Sequence, residues 1–235
     1  MNFVLKKLLL VLLAVINIIG AGCVYTQGTF SDEKNITRYK PYELPIKFYI
    51  EDISFTKARN GLTFFSEAEA ERWKNQLGKY YPQVFSNSPE QALKVKFIFK
   101  ASSYAKNVPA YAPLTMLLSL PTLGLIPGIN KFDMDSSLQT IIEDVEKTTQ
   151  FSLKFYARGN IGIIGLLLPT RFLLPSAKNS LFTSKSWSAI HDYTVEEEKM
   201  KSFLKIFVAQ IYSFPKEKIW ILYNSKFGKN VQLLE

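Results

Sequence analysis

Two segments alternate apolar and polar residues with period two. Ile46, Phe48 and Ile50 fall on one side of an extended chain and Lys47, Tyr49 and Glu51 on the other. Val95, Phe97 and Phe99 alternate in the same way with Lys94, Lys96 and Lys100. Both patterns predict half-buried strands. Between them Ser66-Glu67-Ala68-Glu69 forms a capping box, and Ala70, Trp73, Leu77 and Tyr80 follow at helical spacing. Pro82 closes that helix. The first half of the chain therefore reads strand, helix, strand.

The second half is less regular. Residues 138–145 and 150–158 read as paired strands, with a turn at 146–149. Thr194-Val195-Glu196-Glu197 reads as a second capping box. Met200, Phe203, Leu204, Phe207 and Ile211 then share one helical face. Phe214-Pro215 ends that helix, and residues 219–223 read as a final strand or a docked tail. Together these elements predict an α/β fold, a small two-layer sandwich with a mixed or antiparallel sheet over residues 46–235.

Two apolar stretches interrupt this plan. Residues 107–130 carry no charge and include Leu114, Leu117, Leu118, Leu123, Leu125 and Ile126. Pro109, Pro113, Pro121 and Pro127 argue against a spanning helix, since each interior proline costs about 3 kcal/mol of helix. A bent apolar loop is expected, either buried or exposed. The second stretch, residues 160–177, includes Ile164, Leu167 and Leu168, and its uncharged part, residues 160–170, is too short to span. One stretch precedes the strand pair and the other follows it. A hairpin returns the chain to its starting end, so the two should lie side by side and form a membrane or partner surface.

The N-terminus has its own pattern. Lys6 and Lys7 precede an apolar run over residues 8–19, broken only by Asn17, and Gly20, Ala21 and Gly22 follow. A basic start, a short apolar run and small residues describe a secretory signal peptide, residues 1–22. Cys23, the single cysteine of the 235 residues, comes next. Residues 23–45 are polar, with Pro41 and Pro45, and read as a flexible tether able to reach about 70 Å when extended.

Composition narrows the chemistry. Apolar residues make up 47% of the chain and charged residues 21%, which excludes a disordered polyelectrolyte. A single Cys excludes an internal disulfide, and a single His (His191) excludes a multi-histidine metal site. No Gly-x-Ser-x-Gly elbow occurs, and Ser180, Ser184, Ser186 and Ser188 near His191 read as loop. Asp133 and Asp135 lack the Gly and Glu of a calcium loop. No catalytic residue, cofactor or metal is expected, and the chain reads as non-enzymatic. The net charge of +9 comes mostly from lysines scattered among acids, a pattern of a solvated surface near anionic lipid, not of a nucleic-acid site.

Gly20-Ala21-Gly22-Cys23 resembles the lipobox of bacterial lipoproteins, although Gly20 stands where that family usually has Leu. Leu120-Pro121-Thr122-Leu123-Gly124-Leu125-Ile126-Pro127 adds a likeness to a set of bacterial lipoproteins that share a Thr-Leu-Gly-Leu-Ile-Pro stretch and have no assigned activity. The resemblance implies cleavage before Cys23, acylation of its thiol, and a palmitate-type lipid anchor in the cell envelope. Val24 stands where Asp retains such proteins in the inner membrane of some bacteria. That implies the outer membrane, facing the periplasm. An ordinary signal peptide or an uncleaved anchor is the alternative for the same residues. The expected role is an accessory or assembly factor for a membrane complex. The alternative is a binding module for lipid or another hydrophobic ligand held between helix and sheet.

Overall fold

The computed structural model describes residues 22–30, 46–56, 65–101, 107, 108, 110, 114, 115, 117, 118, 128–161, 181–186 and 194–228. Among these are eight strands and three helices. The chain divides into two compact units. One takes Phe30–Tyr104, Met134–Leu153 and Thr194–Glu235; the other takes Met1–Thr29, Ala105–Asp133 and Lys154–Tyr193. The first holds all three helices and is termed the helix-bearing unit, the second the strand unit.

The helix-bearing unit starts with strand β2 (Lys47–Thr56), helix α1 (Glu67–Tyr80), the two-residue strand β3 (Phe85–Ser86) and strand β4 (Ala92–Ala101). β2 and β4 are parallel neighbours, with Phe48 opposite Leu93 and Phe55 opposite Phe99. α1 is therefore the crossover that a parallel pair requires. β3 adds to the other side of β2, also in parallel. The expected strand–helix–strand start is present, and Ile46, Phe48, Ile50, Val95, Phe97 and Phe99 are all buried. Ser66 caps α1 by accepting the Glu69 backbone N–H at 3.3 Å.

β4 continues into an antiparallel pairing with β5 (Gly128–Ile142), Phe97 opposite Thr140 and Phe99 opposite Leu138. β5 turns directly into β6 (Val145–Ile161). The turn is Glu143-Asp144, not residues 146–149 as the sequence pattern suggests. Glu143 adopts φ 50°, in the left-handed region where hairpins favour Gly or Asn. Its side chain explains why Glu is held there. The carboxylate accepts the Lys94 backbone N–H at 2.7 Å and the Lys226 ammonium at 2.7 Å.

After the two-residue strand β8 (Thr194–Val195), helix α2 runs over Glu197–Tyr212 and helix α3 over Lys216–Phe227. Thr194 is in β8, so the second capping box does not form; Glu196 occupies the cap position without a side-chain bond. The run 219–223, expected as strand or tail, is the middle of α3. Pro215 at its start, Glu217 in its first turn, Lys226 in its last and Gly228 at φ 61° after it supply the helix boundaries.

The helices bring an aromatic core onto the inward face of the sheet. Trp73 meets Phe55 edge-on at 5.3 Å, Phe203 at 4.6 Å and Phe207 at 5.8 Å, and Phe97 meets Phe207 edge-on at 5.0 Å. Lys94, Lys96 and Lys100 on the opposite face of β4 are exposed. The α/β class and the mixed sheet are thus present. The simple two-layer sandwich is not, because the sheet is strongly curled. Long strands such as the 15-residue β5 and 17-residue β6 accumulate twist, and the register shift between Ile50 and Asp52 in β2 adds a local bend.

A polar clamp fastens α1 to the start of α2. Arg72 donates to Glu69 at 3.0 Å, to the Val195 carbonyl at 2.9 Å and to Glu197 at 2.7 Å. The hydrogen bond from Arg72 holds the Glu197 carboxyl below its ordinary pKa, and the same bond raises that of the guanidinium. A depressed carboxylate adds stability above its unfolded pKa and loses it as pH falls through the folded value. Glu197→Gln should therefore lower the Tm at neutral pH, with a difference that closes below the ordinary carboxylate range of about pH 4. Melting curves of both proteins across that range check this. The gap should be small, since Glu197 is largely exposed.

In the strand unit, β1 (Gly22–Phe30) pairs antiparallel with β7 (Phe182–Ser186). Val24 stands opposite Ser186 and Gly28 opposite Phe182, and the Leu181 N–H donates to the Gly28 carbonyl at 2.9 Å. Residues 23–30 were expected in the tether and are strand. Val24, Tyr25, Thr26, Thr29 and Phe30 are all strand formers, a signal that the polar character of the following residues obscures. Residues 31–45 lie outside the described residues. β7 likewise appears inside a stretch read as polar loop.

Candidate functional site

Among the described residues, the large apolar side chains left exposed are Val108 (47%), Leu114 (57%), Leu117 (65%), Leu118 (43%) and Ile221 (67%). Four of these five fall between 108 and 118. Isolated exposed leucines are ordinary; these four are grouped within eleven residues of the chain. Leu114, Thr115, Leu117 and Leu118 have helical backbone.

The polar residues around this segment explain how it is held. Asn107 adopts φ 56°, a left-handed position that Asn tolerates better than most residues. Its side-chain amide donates to the Asp133 carboxylate at 2.7 Å. The first residue of the uncharged stretch is thus tied to strand β5, three residues past the stretch's end. Beside this tie, Phe132 stacks on Phe155 at 5.0 Å with a 14° interplanar angle, and the Lys131 ammonium lies over the Tyr156 ring at 5.7 Å. Asn107 and Asp133, one at the start of the uncharged stretch and one just beyond its end, are thus within hydrogen-bond distance of each other.

Of the residues expected at a membrane or partner surface, Leu114, Leu117 and Leu118 are exposed in the strand unit. Leu123, Leu125, Ile126, Ile164, Leu167 and Leu168 lie outside the described residues, as does His191. Cys23 is the second residue of β1, so its backbone belongs to the same unit as the exposed leucines. What the sequence reading missed is the Asn107–Asp133 tie. An Asn at the entry of an uncharged stretch and an Asp just beyond its exit was the available signal.

The interval between helices and sheet, considered as a pocket for a hydrophobic ligand, is occupied by the rings of Trp73, Phe97, Phe203 and Phe207. Among the described residues no three His, Cys, Asp or Glu side chains gather as a metal site would need. No described helix is long and apolar enough to cross a membrane.

No protein-family model matches the chain, and no curated protein matches it in sequence. Among solved structures it is similar to a homolog of the neuraminyllactose-binding hemagglutinin from Helicobacter pylori. The similarity covers 80% of this chain and 97% of that one at 12% identity, with a TM-score of 0.31. At that score the likeness carries no argument about function.

Proposed function

We propose that this chain is a lipid-anchored envelope lipoprotein, acylated at Cys23, that serves as an accessory or assembly factor at a membrane surface. The observation that carries the reading is the exposure of Leu114, Leu117 and Leu118 in the unit that also contains Cys23. A single acyl chain holds a protein to a membrane only marginally, whereas two or more anchor it stably. A diacylglyceryl thioether on Cys23 meets that requirement without a spanning helix. The basic balance of the chain suits an anionic lipid surface.

Cys23→Ser tests the anchor. The full chain with this change should lose labelling by a fatty-acid analogue and leave the membrane fraction, or accumulate unprocessed. Labelling unchanged from the native protein contradicts the reading. Crosslinking in intact cells, followed by identification of the attached proteins, tests the accessory role. Repeated recovery of one membrane complex supports it, and recovery of this chain without such a partner removes it.

A further inference from the structure

Trp73 and Trp220 are the two tryptophans among the described residues, and their indole N–H groups differ. Trp73 is fully buried and donates to Glu69 at 2.8 Å. Trp220, on helix α3, is 4% exposed, and its Nε1 has no hydrogen-bond partner among the described residues. An unpaired buried donor is costly, and a buried tryptophan N–H ordinarily finds an acceptor. One turn further along α3, the side-chain Oδ1 of Asn224 is also buried and also unpaired among the described residues. One of these two atoms is a donor and the other an acceptor.

The helix sets their relation. Residues i and i+4 lie on one face, with Cβ atoms about 5–6 Å apart. Helical side chains lean towards the N-terminus, so Asn224 leans back over Trp220. Ile219, Trp220 and Tyr223 are buried, and Lys226 holds the helix in place by donating to the Ala92 carbonyl at 3.3 Å and to Glu143 at 2.7 Å. Nε1 and Oδ1 do not bond each other, and both are shielded from the surface, so no partner protein reaches them. The group that satisfies both must be small and enclosed. It must accept from an N–H and donate to an oxygen. Water has this chemistry, and buried waters occupy such places, bonded to two to four otherwise unsatisfied polar groups. We infer that α3 binds an internal water that accepts from Trp220 Nε1 and donates to Asn224 Oδ1. The water links successive turns on the buried side of the helix and fixes the plane of the Trp220 ring. This site is independent of the reading of Cys23.

The test is nuclear magnetic resonance on the full chain in detergent micelles, with isotope-labelled tryptophan. The chain has three tryptophans, so the indole N–H signals are few, and Trp187→Phe and Trp220→Phe assign them. The Trp220 indole proton should show a cross-peak to water with opposite signs in the laboratory-frame and rotating-frame Overhauser experiments. That sign pattern marks a long-lived contact and distinguishes it from proton exchange. Trp73, bonded to Glu69, should show none and is the dry reference within the same molecule. Asn224→Leu, which removes the acceptor at similar side-chain volume, should reduce the Trp220 cross-peak to the level of Trp73. Absence of the water contact at Trp220 in the native chain overturns the inference. An equally strong contact at Trp73, or a contact at Trp220 that survives Asn224→Leu, overturns it too. The comparison of Trp220 with Trp73 in the native chain decides the matter whether or not the leucine variant folds.

Discussion

Phe97→Ala should destabilise the protein by about 3–5 kcal/mol, a large fraction of the 5–15 kcal/mol that typically separates folded from unfolded chains. Phe97 is fully buried in β4, and its ring meets that of Phe207 edge-on at 5.0 Å. β4 lies between β2 and β5 in the sheet, so the strand has no free edge through which to relax around a cavity. The loss combines the transfer term of the missing ring with the unfilled volume beneath α2. Lys96→Ala, one residue away on the opposite face, removes only an ion pair with Glu51 between two well-exposed side chains. Such pairs contribute about 0–1 kcal/mol. Denaturant titration of the two variants should therefore show a clear drop in midpoint for Phe97→Ala and almost none for Lys96→Ala. Equal shifts would place the wrong face of β4 inward.

The second large effect is expected at Glu69. This residue is buried in α1, where its carboxylate accepts the Trp73 indole N–H at 2.8 Å and pairs with Arg72 at 3.0 Å. The sequence pattern assigns Glu69 to the reciprocal half of a capping box. The structure gives it a different task, orienting the largest side chain of the core and joining it to the Arg72 clamp. Glu69→Ala leaves the indole N–H without its acceptor in a site where Trp73 is fully buried. An orphaned buried donor costs about 1–3 kcal/mol, and the weakened clamp adds to it. Glu69→Gln keeps an acceptor oxygen and should recover part of the loss. Thermal melts of the two variants check the order; Glu69→Gln as damaging as Glu69→Ala would mean the charge, not the hydrogen bond to Trp73, is what matters.

Where the sequence was legible, side-chain period decided the structure. Alternation in 46–50 and 94–100 and the spacing of Ala70, Trp73 and Leu77 survive unchanged, because burial on one face alone specifies both element and register. The α3 segment shows the limit. Ile219-Trp220-Ile221-Leu222-Tyr223 is as strand-like locally as any run in the chain, and it is helix because Pro215, Glu217, Lys226 and Gly228 mark helix boundaries around it. Lys226 then anchors that helix to Glu143 and to the Ala92 carbonyl, contacts between residues 83 and 134 positions apart that no local pattern encodes. The β5–β6 turn failed for a related reason. Glu143 lacks the Gly or Asn signature of its backbone position, and its partners Lys94 and Lys226 come from distant parts of the chain.

The apolar stretch was half legible. The absence of charge from 107 to 130 pointed to an unusual segment, but a buried loop and an exposed one look alike in sequence. Among the described residues of the stretch, Leu114, Leu117 and Leu118 are exposed. The strand at the start of the expected tether was hidden because Val24 to Gly28 pairs with a strand more than 150 residues away.

The most direct measurement of the central claim is the intact mass of the protein purified from bacterial membranes. The account predicts a chain that begins at Cys23 and carries the added mass of a diacylglyceryl group on that residue, with or without a further acyl chain on its amine. A chain beginning at any other residue, or one with an unmodified Cys23 thiol, would contradict it.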